Sequence, residues 1–319
     1  MDLSESELVA YEAPRCGGWL RKSATWLLDH RQNTYSQNGE DGVIARVLDV
    51  IGESDSWCVD VGAGDGIYLS NTRLLVESRG YSAVLIEGDR KRYHALKRNC
   101  ELLKQVVAVR TLVDSSSEHG LDAVLDAFPI PSNFDMLSID IDGNDYHVWK
   151  SITRYQPKIV VIEFNSTIPT RVPFVQTADS RASIGSSLLS LVVLGKDKGY
   201  ELVAVLATNA VFVCREYYPR FELESNAPEV LRVDESDVTY LFSGYDGTVF
   251  LQGACRLPWH DIAMNSARLQ LLPKLLRMFP ANYSIPQKIL WVMFLRPRVI
   301  LRRLRLFLMR HRRARAGAP

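Results

Sequence analysis

Three stretches of this chain gather side chains suited to binding and processing a small molecule. Val59-Asp60-Val61-Gly62-Ala63-Gly64-Asp65-Gly66 carries glycines at G-x-G-x-G spacing after a β-branched run. Glycines at a strand-to-helix turn let the backbone pass close to a ligand, and the next helix offers free N–H groups. Alone, the same pattern also makes a plain tight turn. Val84-Leu85-Ile86-Glu87-Gly88-Asp89 ends a second apolar run in an acid, Glu87. An acid at the tip of the strand beside a glycine loop can accept hydrogen bonds from both hydroxyls of a ribose. The third stretch, Ser138-Ile139-Asp140-Ile141-Asp142-Gly143-Asn144-Asp145, is joined by Glu163-Phe164-Asn165.

Side chains alternate along a strand, which puts Asp140 and Asp142 on one face at the strand's carboxyl end. If the strand ending at Glu163 lies beside it, three carboxylates and an amide meet. Such a set raises its own pKa values or takes a cation. A hard ion such as Mg²⁺ suits Asp142, Glu163 and Asn165 and would acidify a substrate hydroxyl. Alternatively, Asp140 caps loop N–H groups and Asp142 or Asp145 serves as a metal-free general base. His147 is either a base or a helix-capping residue, and His94 reads as surface.

These groups need a scaffold that brings strand ends together. Strands are expected at Trp57–Val61, Ala83–Ile86, Val106–Leu112, Met136–Ile141 and Lys158–Glu163. Between them lie helical stretches at Asn71–Ser78, Arg90–Lys104, Leu121–Phe128 and Tyr146–Thr153. Alternation of this kind makes right-handed βαβ units and a doubly wound, mostly parallel α/β sheet. A helix near Ser183–Lys198 leads to Tyr200–Leu206, a turn at Thr208-Asn209, and Ala210–Cys214. Two strands this close in sequence pair antiparallel, closing a Rossmann-like sheet of seven strands with a hairpin. An NAD-dependent oxidoreductase, the alternative enzyme class, would have an all-parallel sheet and a third glycine where Ile67 stands. A binding protein that keeps the fold without turnover is the other alternative.

The chain resembles class I S-adenosylmethionine-dependent methyltransferases, specifically the FkbM type, over about residues 34–215. The resemblance rests on Tyr35-Ser36-Gln37-Asn38-Gly39-Glu40-Asp41, on the loop Asp60 to Gly66, on Ser138 to Asp145 and on Lys198-Gly199-Tyr200-Glu201-Leu202-Val203. It implies that Gly62 and Gly64 line the methionine part of the cofactor and that Glu87 holds its ribose. It places Asp114, or else Ser115, near adenine. Asp60 and Gly66 complete the loop. Ser36 and Gln37 either fold over the cofactor or make a helix N-cap box. Against the family's K-x-D-x-E-G pattern, Ser138 stands for the lysine and Asp142 for the glutamate, which speaks against a lysine-assisted mechanism. The implied reaction is methyl transfer to a hydroxyl of a glycan or a lipid-linked sugar, with Asp140, Asp142 and Asp145 as catalytic candidates.

Charge divides the chain. Residues 1–261 hold all 37 acids and 25 of the 38 Lys and Arg, a balance of −12, while residues 262–319 hold 13 basic residues and no acid. An acidic body argues against nucleic acid as a partner. From Val299 to Arg313, Ile300, Leu301, Leu304, Phe307 and Leu308 share one helical stripe among arginines. That pattern fits an interfacial helix on anionic lipid, a stripe packed on the acidic body, or a disordered basic tail. Three regions are expected: an N-terminal helical segment (1–50) capping the cofactor site, a methyltransferase domain (51–260) and a basic amphipathic tail (261–319). The start, Met1-Asp2-Leu3-Ser4, shows no secretory signal, and the five scattered cysteines fit a reducing compartment. A cytoplasmic protein, peripheral at the inner membrane face if the tail binds lipid, is the expectation.

Overall fold

The computed structural model describes residues 22–295, apart from residues 53, 117 and 180. The arginine-rich stripe Val299–Arg313, the start of the chain and Cys16 lie outside the described residues. The chain forms two compact units, Met1–Glu235 and Ser236–Pro319.

The first unit is built on seven strands: β1 Trp57–Val61, β2 Ser82–Ile86, β3 Val106–Val109, β4 Met136–Ile139, β5 Ile159–Glu163, β6 Tyr200–Val205 and β7 Asn209–Cys214. Their order is β3-β2-β1-β4-β5-β7-β6. β7 runs antiparallel between β5 and β6, and the other pairings are parallel. The hairpin thus does not sit outside the sheet; its second strand inserts inside its first. β4, β6 and β7 are buried at every position, as strands covered on both faces must be. The strands expected to reach Leu112 and Ile141 stop at Val109 and Ile139, so Asp140 and Asp142 lie beyond the ladder.

Helices α1 Glu40–Ile51, α2 Arg73–Arg79, α3 Arg90–Asn99, α4 Leu121–Leu125, α5 Asp145–Ser151 and α6 Leu188–Asp197 flank the sheet. α1 buries Val43, Ile44, Val47, Leu48 and Ile51, one stripe at helical spacing, and stops at Gly52 with φ +68°. α3 starts where the Asp89 side chain accepts from Arg92 N–H, and α6 where the Ser187 hydroxyl accepts from Ser190 N–H. Trp149 of α5 packs against Phe212 of β7 with ring centres 4.9 Å apart. Under the sheet's opposite end, buried Lys158 donates to Asp55 and Asp135, each at 2.8 Å.

The second unit contains a hairpin of β8 Thr239–Ser243 and β9 Val249–Gly253. Both strands are short continuous apolar runs without period-two alternation, the pattern that periodicity identifies least well. Among the described residues no helix is long and apolar enough to cross a membrane. Cys58, Cys100, Cys214 and Cys255 are free thiols.

Candidate active site

The loop after β1 is held open by its own backbone bonds. Gly62 and Ala63 N–H both donate to the Ile86 carbonyl at the end of β2, at 2.9 and 3.0 Å. A Cβ on Gly62 would stand 1.7 Å from the Asp140 carbonyl oxygen, so the β1 and β4 exits touch through backbone here. Gly64, with φ +59°, meets nothing within 4 Å; its requirement is conformational. A Cβ on Gly66 would point at the Leu96 side chain, which makes Gly66 a packing contact with α3.

Glu87 joins this loop to the next. Its Oε2 accepts from Gly64 N–H at 2.9 Å and its Oε1 from Asp89 N–H at 2.7 Å. Each carboxylate oxygen retains acceptor capacity, so two ribose hydroxyls can still bond to it. The N-cap of α3 is Asp89, which leaves Glu87 free of that duty. Glu87, Gly62, Asp114, Arg92, Asp140 and Asp142 line one cavity of about 400 Å³, within the range of small-molecule sites. Asp114 lies across from Glu87 with its Oδ1 accepting from Ser116 N–H. That bond and one from the Ser116 hydroxyl hold its carboxyl below the usual range.

The β4 end supplies the acidic side. Ligand oxygens of Asp140, Asp142 and Glu163 all lie within 4.8 Å of one another. Strand alternation is not what gathers them. Asp142 has φ +58°, a left-handed turn that Asp tolerates better than most residues, and Gly143 follows it. Asp145 fixes this turn: its two oxygens accept from Ile141 and Gly143 N–H, each at 2.9 Å. It is 3% exposed, and burial pushes its carboxyl up to about 7 against the pull of those bonds. Burial also raises Asp140, with repulsion from Asp142 adding to it, and raises Glu163, with repulsion from Asp140, Asp145 and Asp142 adding to it, and a hydrogen bond joins the pair. Glu163 is the more strongly raised of the two. Glu40, at the start of α1, adds to the charge felt by Asp140.

Several candidates are placed elsewhere. Asn165 Oδ1 accepts from the Thr167 backbone and hydroxyl while its Nδ2 donates to the Ile184 carbonyl, so its amide is occupied by the loop. Asp60 is buried and accepts from Thr72 Oγ1 at 2.8 Å; burial lifts its carboxyl to about 6. The Ser36 hydroxyl accepts from Asp41 N–H, and Asp41 accepts from the N–H groups of Thr34, Tyr35 and Ser36, an N-terminal lock on α1. Gln37 is exposed, and its carbonyl accepts from Asn33. His147 Nε2 bonds the Gln176 carbonyl at 2.8 Å, and His94 is exposed on α3. Sequence reasoning missed Arg92 and Asn144 at the cavity wall and the loop at Ala182 and Ser183 that borders it. Gln176 fastens that loop, donating to Asn144 Oδ1 and the Ala182 carbonyl and accepting from Ile184 and Gly185 N–H. The Gln176–Asn144 bond joins segments 32 residues apart, beyond the reach of any local pattern.

The N-terminal domain of EvdMO1, crystallised in the presence of SAH and D-fucose, is 13% identical, with a TM-score of 0.39 over 59% of this chain and 91% of that one. A SAM-dependent methyltransferase from Aquifex aeolicus is 15% identical, with a TM-score of 0.33 over 53% and 87%. No curated protein sequence matches the chain. The family described as "Methyltransferase FkbM domain" matches residues 104–202, from the approach to β3 into β6. The acidic turn after β4 and Glu163 lie inside that span. Residues 104–202, about a third of the chain, match the FkbM methyltransferase domain, and they belong to the seven-stranded, mostly parallel sheet.

Proposed function

We propose that the protein transfers the methyl group of S-adenosylmethionine to a hydroxyl of a sugar, either in a free glycan or in a lipid-linked saccharide. One observation carries the proposal: the cavity lined by Glu87 and Gly62 is closed on its other side by Asp140 and Asp142, with Glu163 beside them. The sulfonium already makes the methyl carbon electrophilic, so the protein's part is alignment, exclusion of water and removal of one proton. In this reading Glu87 holds the ribose, Gly62 and Gly64 admit the methionine part, and Asp114 borders adenine. The acceptor oxygen attacks the methyl carbon, the carbon–sulfur bond breaks with its electron pair going to sulfur, and the proton passes to Asp142. Asp142 is the exposed member of the cluster, which suits it to meet the acceptor. Asp145 positions the turn. The choice of a sugar hydroxyl rests on the FkbM resemblance.

The donor set also fits a hard divalent cation, since three carboxylates converge without a basic side chain ion-paired to them among the described residues. Asp140, Asp142 and Glu163 would hold Mg²⁺, with Asp140 in the place given to Asn165 by strand alternation. Such an ion would lower the pKa of the acceptor hydroxyl.

Labelled S-adenosylmethionine incubated with the protein and a glycan or membrane extract, with and without chelator, tests both parts. Mass spectrometry should show one saccharide product heavier by a methyl group. Label appearing only in other product classes would overturn the sugar assignment, and transfer indifferent to chelator would overturn the cation.

A further inference from the structure

The second unit shows a surface that the methyl-transfer reading does not use. On β8 and β9, Tyr240, Phe242 and Phe250 share one face of the hairpin, since Phe242 pairs with Phe250 and Tyr240 lies two residues along. They are 44%, 52% and 44% exposed, and the two phenyl rings stack at 5.5 Å. Leu241 on the other face is 62% exposed, and Trp259 beyond the hairpin is 64% exposed. Among its described residues the unit buries Val238, Val249, Leu276 and Tyr283 and leaves 16 large apolar side chains exposed. An apolar surface of this size on a small unit is one that something covers.

The charge of the unit identifies the cover. Residues 236–319 hold 14 of the 38 Lys and Arg and only 3 of the 37 acids, with nine of those bases beyond the described residues and five among them. A second copy would set this excess against itself. A neutral apolar partner would leave the basic residues without purpose. Exposed aromatic side chains in a unit that also exposes Arg268, Lys274 and Lys288 match the interface of an anionic bilayer, where rings sit at headgroup depth and cations meet phosphate.

We propose that the second unit is a membrane-docking module that seats the Tyr240–Phe242–Phe250 hairpin face and Trp259 in an anionic lipid surface. This deepens the proposed function by placing the enzyme where a lipid-linked acceptor resides, yet it rests on its own residues. The test mixes the full-length protein with sedimenting vesicles of phosphatidylcholine, alone or with about a third phosphatidylglycerol. The protein should pellet with the anionic vesicles, stay in solution with the neutral ones, and be released by high salt. Replacing both phenylalanines (F242S with F250S) should weaken vesicle binding about tenfold or more, and K274E with K288E should do the same. Calorimetric affinity for S-adenosylmethionine should stay unchanged in both variants.

Equal pelleting with both vesicle types, no pelleting, or a double-phenylalanine variant that binds like the parent would each overturn the proposal. So would sedimentation velocity showing a dimer that the F242S/F250S change dissolves, since the cover would then be a second copy. Failure of methyl transfer with vesicle binding intact would count against the catalytic reading alone.

Discussion

The two units divide their apolar residues in opposite ways. Residues 22–235 bury 55 apolar side chains and expose 13 large ones; residues 236–295 bury 4 and expose 16. The sheet keeps water out by itself, so its stability is internal and its loops can be held to fractions of an ångström, as at Gly62 and Asp140. The second unit has little interior to lose, and much of its free energy depends on what it rests against. Precision belongs to the first unit and adaptability to the second. Substitutions in the two should differ accordingly.

The largest effect should come from the acidic turn. Asp142→Asn keeps a residue that accepts the left-handed backbone while removing the base, so methyl transfer should fall by about 100- to 10,000-fold. Calorimetric affinity for the cofactor should stay within several-fold; simultaneous loss of both would assign Asp142 to cofactor binding. Lys158→Met comes next. It strands the Asp135 carboxylate, which is fully buried, and should cost about 3–5 kcal/mol in urea unfolding. The pH dependence should also flatten. In the parent, burial raises the Asp135 carboxyl, but bonds from Lys158, Ser54 and Asp55 N–H hold it below the usual range. That stabilisation is present above about pH 4 and fades as pH falls through the depressed value. In the variant the bonds from Ser54 and Asp55 N–H remain while the lysine's is gone, so the carboxyl should sit closer to its ordinary value and less stability should be lost as pH falls below about 4. A variant with the parent's pH slope would remove Lys158 from this role.

Gly62→Ala forces a methyl group onto the Asp140 carbonyl and should cost about 1–3 kcal/mol, with a clear loss of cofactor affinity. Thermal unfolding and calorimetry read the two effects. At the small end, Phe242→Ser in the second unit should leave stability in solution within about 0.5 kcal/mol. A cost several times larger would show the hairpin face to be interior, and the contrast between the units would fail.

What could be read in advance follows the same division. The glycine loop, Glu87 and the order of helices and strands are local patterns under strong constraint, and they stand where spacing puts them. The acidic cluster was legible in membership more than in cause: Asp140, Asp142 and Glu163 meet because of a positive-φ turn held by Asp145. Its place two residues after Glu163 makes Asn165 a ligand candidate in the sequence, but two hydrogen bonds from Thr167 claim its oxygen. Glu40 was visible inside a motif, yet its approach to Asp140 follows from tertiary packing. The β8–β9 hairpin escaped because neither strand alternates.

The unbalanced acids around Asp140 carry a kinetic consequence for turnover. S-adenosylmethionine enters as a cation at sulfur and leaves as a neutral thioether. The same carboxylates that attract the loaded cofactor lose that attraction once the methyl group has gone, and through-space charge alone separates fresh donor from exhausted donor. Discrimination of that kind weakens as ionic strength rises. Inhibition by the demethylated product should therefore be least troublesome in dilute buffer and grow more competitive as salt is added.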